Sequence, residues 1–441
     1  MKVAEPDVQI VSSGAAILDA SGLPESLVID LLLRHLARTG NLRAVEIASR
    51  LGVPLSALTS VIDSLRMQRL LDVTGRGAFD AGIEYVLTDA GRYRARDAFE
   101  RCQYLGPLPV SLAEYATRVA QQSVRQIPLD ESRLRQAIGD AVVSPELIAQ
   151  LGAALVSDRA LYLYGASGTG KTFLAERLLD ALSGEIDVPH AIFVDGEIIQ
   201  VYDPVVHRAS DTTATRQSTH LLPIQDNRWV RAKRPVVITG GELTNEMLDL
   251  KFERQSRFYV APPQVKANNG MLIIDDLGRQ RVSARELLNR WIVPLDRGFD
   301  HMALHTGFKF EVPFDVKVLF SSNLAPSALG DPAFVRRLGY KIHLGPLDAA
   351  SYRTVIQQAC IRAGVPYVQE MATWLIEELH QAQAMPLYPA IPYDLVAKLR
   401  DKAVFEGSDA RLTREGVRWA WNLYFAPDQG DGEAPTLDQL R

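Results

Sequence analysis

The chain has 441 residues, enough for two or three domains; 47% hydrophobic and 23% charged residues fit a folded soluble protein and exclude a disordered one. A formal charge of -5 gives no global attraction to nucleic acid or an anionic membrane, so any such contact needs a local patch. Cys102 and Cys360 are far apart and form no metal-type cluster, the stretch after Met1 lacks a signal-peptide core, and no apolar run reaches membrane-spanning length, which together predict a cytoplasmic protein with reduced thiols.

Residues 20–100 read as a small helical unit closed by a hairpin. Leu27 to Leu36 is an apolar helix ended by Thr39-Gly40, and Ala44 to Leu51 is a second helix stopped by Gly52. Pro54 opens a third, with Leu55, Leu58, Val61, Ile62 and Leu65 at helical spacing. Leu70 to Thr74, the turn Gly75-Arg76-Gly77 and Ile83 to Leu87 predict a two-stranded wing, and Leu87-Thr88-Asp89-Ala90-Gly91-Arg92 begins a last helix. This order resembles a winged helix-turn-helix domain. Residues 101–150 form a connector, with Pro107 and Pro109 followed by two helices.

From Ala160 onward, apolar strands alternate with helices, the pattern of an α/β fold with a parallel sheet. Strands are predicted at Leu161 to Tyr164, Ala191 to Asp195, Met271 to Ile274 and Val316 to Ser321, with a further candidate at Val236 to Thr239. The α/β core spans residues 151–346. Helices then run through 347–426 except for the Pro-rich stretch 385–393, and 427–441 reads as a disordered tail.

Gly165-Ala166-Ser167-Gly168-Thr169-Gly170-Lys171-Thr172 follows the first core strand and opens a helix carrying Phe173, Leu174, Leu178 and Leu179 on one face. A nucleoside triphosphate needs several donors converging on its phosphates without side chains in the way. Glycines at 165, 168 and 170 let the backbone wrap and point its N–H groups inward. Lys171 is placed to reach the β and γ phosphates, and the Thr172 hydroxyl to ligate magnesium (Mg2+). The helix start adds its positive dipole end.

Met271-Leu272-Ile273-Ile274-Asp275-Asp276 is an apolar strand with two carboxylates at its end, in the crevice where α/β sheets bind ligands. Asp275 is suited to hold the magnesium through water and Asp276 to orient or activate the attacking water. In isolation the pair reads better as a strand followed by an acidic helix cap. It is the position after a phosphate-binding loop that favours the catalytic reading.

With both Walker motifs placed, residues 130–425 resemble the AAA+ ATPases. The resemblance implies a P-loop AAA+ core with a C-terminal helical lid behind the winged-helix domain. Ser322-Asn323 resembles sensor 1, a polar residue between γ-phosphate and water. Asp331-Pro332-Ala333-Phe334-Val335-Arg336-Arg337 resembles the segment that carries an arginine finger into a neighbouring subunit, with Arg336 and Arg337 equally eligible. Lys266-Ala267-Asn268-Asn269-Gly270 is similar to the "A-x-G-G" lead-in of enhancer-binding, magnesium-chelatase and MoxR-type ATPases. His301 to Pro313, turning about Thr306-Gly307, is similar to their pre-sensor 1 hairpin. At the sensor 2 position, where the family usually has Arg, this chain has Tyr393, with Arg400 further along. The long segment from Asp195 to Gln264 is expected to carry partner specificity. Within it, Arg228-Trp229-Val230-Arg231 admits base stacking but favours packing.

These features predict a homo-oligomeric ring, expected to be hexameric, that binds ATP and magnesium and hydrolyses ATP to remodel a protein partner. Residues 24–100 contain ten Arg, no Lys and ten Asp or Glu, and the third helix has no cation before Arg66. Protein docking is therefore favoured over DNA binding through the winged helix. The alternatives are a DNA-associated ATPase and a nucleotide-bound scaffold with little turnover.

Overall fold

The computed structural model describes residues 22–75, 82–182, 184–210, 226–329 and 335–425. At its centre five parallel strands lie in the order Val236–Thr239, Met271–Ile274, Lys317–Ser322, Ala160–Tyr164 and Leu338–His343. Met271–Ile274 and Lys317–Ser322 are buried along their whole length, as strands covered on both faces must be. Leu161, Leu163, Ile273 and Leu319 face one apolar layer with the helices Glu131–Ile138, Pro145–Val156 and Lys171–Ala181. Tyr162, Leu272, Ile274 and Phe320 face the other, with Leu287, Leu288 and Trp291. The alternation of side chains along each strand divides the core into these two layers.

Several expectations need correction. Ala191–Val194 is a strand, but it belongs to a second sheet ordered Lys251–Glu253, Phe258–Val260, Glu197–Gln200, Ala191–Val194, Val110–Ser111. The core position beside Met271–Ile274 is taken by Val236–Thr239. The connector has three α-helices, Leu112–Gln121, Glu131–Ile138 and Pro145–Val156, rather than two, and Val110–Ser111 adds a strand to the second sheet. The helical stretch after the acidic strand is two pieces, Ala284–Arg290 and Ile292–Arg297. Pro294 has no N–H for the carbonyl of Arg290, and its ring crowds that carbonyl, so the break falls at Trp291.

The N-terminal unit consists of the helices Glu25–Thr39, Ala44–Leu51 and Leu55–Met67, a three-stranded antiparallel sheet and the helix Asp89–Arg101. Thr88 caps that last helix by accepting the Gly91 N–H. A Cβ at Gly91 would lie 2.1 Å from the carbonyl oxygen of Leu70, so the helix seats on the hairpin only with glycine there. The wing turn at Arg76-Gly77 lies outside the described residues. The unit is fastened to segments that lead into Val110–Ser111 and Trp229–Lys233: the Leu108 N–H donates to Leu51 and the Asn227 N–H to Gly52, each at 2.9 Å. Buried Arg34 donates to the carbonyls of Cys102 and Tyr104, and Tyr104 meets Phe258 edge-on.

After Leu347 come the lid helices Ala349–Ala363, Gln369–Trp374 with a wider π turn over Leu375–Gln381, Ala390–Glu406 and Arg414–Phe425. The Pro-rich break ends at Pro389, so Pro392 falls in a first helical turn, where its missing N–H costs nothing. The expected tail, 427–441, lies outside the described residues. Among the described residues no single helix is long and apolar enough to cross a membrane.

Candidate nucleotide site

The chain leaves the core strand Ala160–Tyr164 at Gly165 and turns back into the helix Lys171–Ala181. A Cβ at Gly165 would lie 2.1 Å from the carbonyl oxygen of Leu344, and Gly168 is in the left-handed region with φ 84°, so both positions call for glycine. Ala166 and Ser167 form the exposed crest, and the Thr169 hydroxyl closes the loop onto the Ala166 carbonyl at 2.9 Å.

Buried inside this loop, the Lys171 ammonium donates to the carbonyls of Gly165 and Ala166 at 2.9 Å and to Asn323 Oδ1 at 2.8 Å. Burial lowers its pKa, and the nearby carboxylates of Asp276 and then Asp275 offset part of that effect. Asn323 follows the strand Lys317–Ser322, which pairs directly with the phosphate-loop strand, and this adjacency brings positions 171 and 323 together.

From the next strand, Asp275 Oδ2 accepts the Thr172 hydroxyl at 2.8 Å. A hydroxyl and a carboxylate in contact, with phosphates and water completing the shell, suit magnesium better than a closed protein cage. Among the described residues no cluster of three or more His, Cys, Asp or Glu offers such a cage. Asp276 has φ 51°, which aspartate tolerates better than most residues, and its N–H donates to Asp275 Oδ1. Its carboxylate is exposed and lies 3.5 Å from Arg279. Ser322 donates to the Leu277 carbonyl, and Gln280 donates to the Asp275 carbonyl, so the loop after the acidic pair is held from both sides. No sequence signal singled out Arg279, Gln280 or Ser322 for these tasks.

Beside the loop lies a cavity of about 610 Å³, walled by the connector turn at Asp140–Ser144, by Gly170 and Phe173, and by Val355 and Tyr393 of the lid. The lid also touches the loop directly, through the Ala390 N–H on the Gly168 carbonyl at 3.1 Å. Both the volume and the mixture of apolar walls with a few polar groups suit a nucleoside.

Residues 348–423 match a family described as a domain of unknown function, DUF8689. A comparison with curated protein sequences gave no match. Among solved structures the chain is similar to RuvB of Thermotoga maritima, described as a Holliday junction branch migration motor. The identity is 14% and the TM-score 0.36, over 69% of this chain and 73% of that one. It is also similar to NtrX of Brucella abortus, with 15% identity and a TM-score of 0.41 over 70% of this chain and 60% of that one. For NtrX in complex with ATP the identity is 14% and the TM-score 0.37, over 83% and 72%.

Arg336 and Arg337 are not brought to this loop. They precede Leu338, which pairs with Ala160 at the opposite end of the phosphate-loop strand, roughly 15 Å away at about 3.3 Å per residue. With Arg159 and Asp296 they border a separate cavity of about 350 Å³. Arg337 is held by Asp296 at 2.8 Å, whereas Arg336 is exposed. Asp331 to Phe334 lie outside the described residues.

Tyr393 borders the nucleotide-sized cavity, but its hydroxyl donates to Gln358 Oε1 at 3.3 Å, with the Arg362 guanidinium over its ring. Arg400 pairs with its neighbour Asp401 at the surface and does not take the place of a lid arginine here.

In the insertion, buried Arg228 is clamped by Glu114 and Asp226. Trp229 is buried under Arg118, and Arg231 pairs with Glu185 and Asp187. These residues pack, and the buried Trp229 leaves no face for a base. The lead-in to the acidic strand is equally structural. Asn268 bonds Tyr115 and the Pro313 carbonyl, and Asn269, at φ 63°, bonds Asp315 and the Val119 carbonyl. Asparagine accepts the left-handed backbone that glycine holds in the "A-x-G-G" pattern. The hairpin Phe299–Ala303 with Lys309–Pro313 has Phe308 exposed near its tip and is tied to the second sheet by the His305 N–H on Tyr259.

Proposed function

We propose that the chain is an AAA+ ATPase that binds ATP with magnesium at Gly165–Thr172, hydrolyses it, and acts as a homo-oligomeric ring, expected to be hexameric, on a protein partner. The observation that carries this reading is the convergence of Lys171, Thr172, Asp275 and Asn323, from the ends of three separate strands, through contacts of 2.8 Å. Lys171 exchanges its bond to Asn323 for the β and γ phosphates, and Asn323 is freed to orient water. Magnesium between Thr172 and Asp275 would draw charge from the phosphates. Asp276, exposed beyond them, takes the proton of the attacking water. Arg336 or Arg337 of a neighbouring copy offsets the charge on the transferred phosphoryl group. Their place at the far end of the sheet supports use across a subunit boundary.

The N-terminal unit serves as the recruitment module. The exposed side of the helix Leu55–Met67 carries Ser56, Thr59, Ser60 and Asp63 with no cation before Arg66, which supports a protein partner over duplex DNA. Phosphate release and nucleotide titration test the proposal. Lys171→Ala should abolish both, and Asp276→Asn should keep binding while suppressing release. Wild-type release from both variants sinks the ATPase reading. Affinity capture with the Asp276→Asn variant in ATP would then identify the partner.

A further inference from the structure

We infer that Gln358, Tyr393 and Asp140 form a latch that holds the lid over a bound nucleotide and sets the rate at which it leaves. The inference rests on the ATP-site reading and concerns the cavity beside the phosphate loop. One wall of that cavity is the connector turn, and the facing wall is the lid. A nucleoside seated between them departs when the two walls part.

The walls are joined by a chain of polar contacts. Gln358, on Ala349–Ala363, donates from Nε2 to the Asp140 carbonyl at 2.6 Å, across 218 residues of sequence. Its Oε1 accepts the Tyr393 hydroxyl, from Ala390–Glu406, at 3.3 Å. The Asp140 carboxylate faces Arg177 of the phosphate-loop helix at 3.9 Å. The links therefore run from the phosphate-loop helix through the connector turn to two lid helices.

The chemistry of the amide explains the tyrosine. An amide has a donor end and an acceptor end, and its bond to a backbone carbonyl requires the NH2 to face that way. A hydroxyl donor on the opposite end fixes this orientation. Phenylalanine at 393 would leave the amide free to flip and lose the Asp140 bond part of the time. The Arg362 guanidinium lies 5.5 Å over the Tyr393 ring and holds the ring in place. Tyr393 thus acts as a positioning residue on the lid through Gln358, and the phosphates need no contact from it.

Release of a fluorescent ADP from the full chain in magnesium, chased with excess unlabelled ADP, tests the latch. Gln358→Ala removes both bonds and should speed release about tenfold, and Tyr393→Phe, which keeps the ring, about threefold. The double variant should release no faster than Gln358→Ala alone, because both residues act through one amide. The melting temperature of the nucleotide-free protein should stay near the wild-type value in all three. Wild-type release rates in both single variants, or a double variant whose effect is the product of the single ones, overturn the latch alone. Absence of fluorescent-nucleotide binding by wild type, indistinguishable from Lys171→Ala, overturns the ATP-site reading and the latch with it.

Discussion

Arg336 and Arg337 present the clearest separation of two roles. Both sit about five strand residues from Gly165, at the wrong end of the phosphate-loop strand to reach their own chain's phosphates. Arg337 is engaged with Asp296 at 2.8 Å and is about a quarter exposed, while Arg336 projects into solvent. Arg336→Ala should therefore lower turnover by about 10³-fold or more, the usual worth of an arginine finger, while leaving ATP affinity within a few-fold. Arg337→Ala should act mainly on stability, by about 0.2–1 kcal/mol, because its partner is half exposed. The decisive assay mixes two inactive proteins. In a ring assembled at random from equal parts Lys171→Ala and Arg336→Ala subunits, about a quarter of the interfaces join an intact loop to an intact arginine. Phosphate release should recover to roughly that fraction of wild type if each interface works independently. Full activity of Arg336→Ala alone, or no recovery in a mixture shown by light scattering to co-assemble, refutes the reasoning.

Asn323→Ala removes the acceptor 2.8 Å from Lys171, and turnover should fall about 10²-fold with little change in affinity, read by phosphate release beside equilibrium titration. Gly270→Ala would set a Cβ 2.1 Å from the Pro235 carbonyl oxygen and 2.8 Å from its ring, so the urea midpoint should drop by the equivalent of about 2–3 kcal/mol. Burial holds His35, His190, His207 and His380 below the ordinary histidine pKa of 6.5. Their folded pKa values lie under the unfolded one, so below pH 6.5 the unfolded chain gains protons that the folded chain refuses. Stability should be level from pH 8 to 7 and then fall with acid, by up to about 1.4 kcal/mol per pH unit for each histidine. Thermal melts at pH 7.5 and 5.5 check this, and equal melting temperatures count against it.

Local chemistry made the strand, glycine-rich loop and helix around Gly165–Thr172 and the acidic strand legible. Gly165 and Gly168 sit where the backbone calls for glycine, and Lys171, Asp275 and Asp276 lie within two residues of the helix start or strand end that positions them. What the sequence hid was pairing over distance. Ala191–Val194 and Val236–Thr239 are both short apolar runs, and only their partners, Glu197–Gln200 and Met271–Ile274, separate a strand of the second sheet from one of the core. The fifth core strand, Leu338–His343, escaped notice for another reason. Its register shifts between Leu338 and Tyr340, which breaks the two-residue period, and Gly339 packs where a Cβ would lie 2.3 Å from the Cβ of Arg159. Packing was the favoured reading for Arg228, but its partners were not legible, because Glu114, one of the two carboxylates that neutralise it, lies 114 residues away. Tyr393 is the same case inside the lid. The helix that carries it begins at Ala390, inside the Pro-rich stretch expected to interrupt the helices, and a side chain's role depends on where its polar atom is engaged. For the Tyr393 hydroxyl that partner is Gln358, 35 residues earlier on another helix. A missing arginine at this position therefore does not by itself imply a failed ATPase. It is compatible with a lid held by neutral hydrogen bonds, in which, on the proposed reading, the phosphate chemistry falls to Lys171, Asn323 and Arg336 of a neighbouring copy.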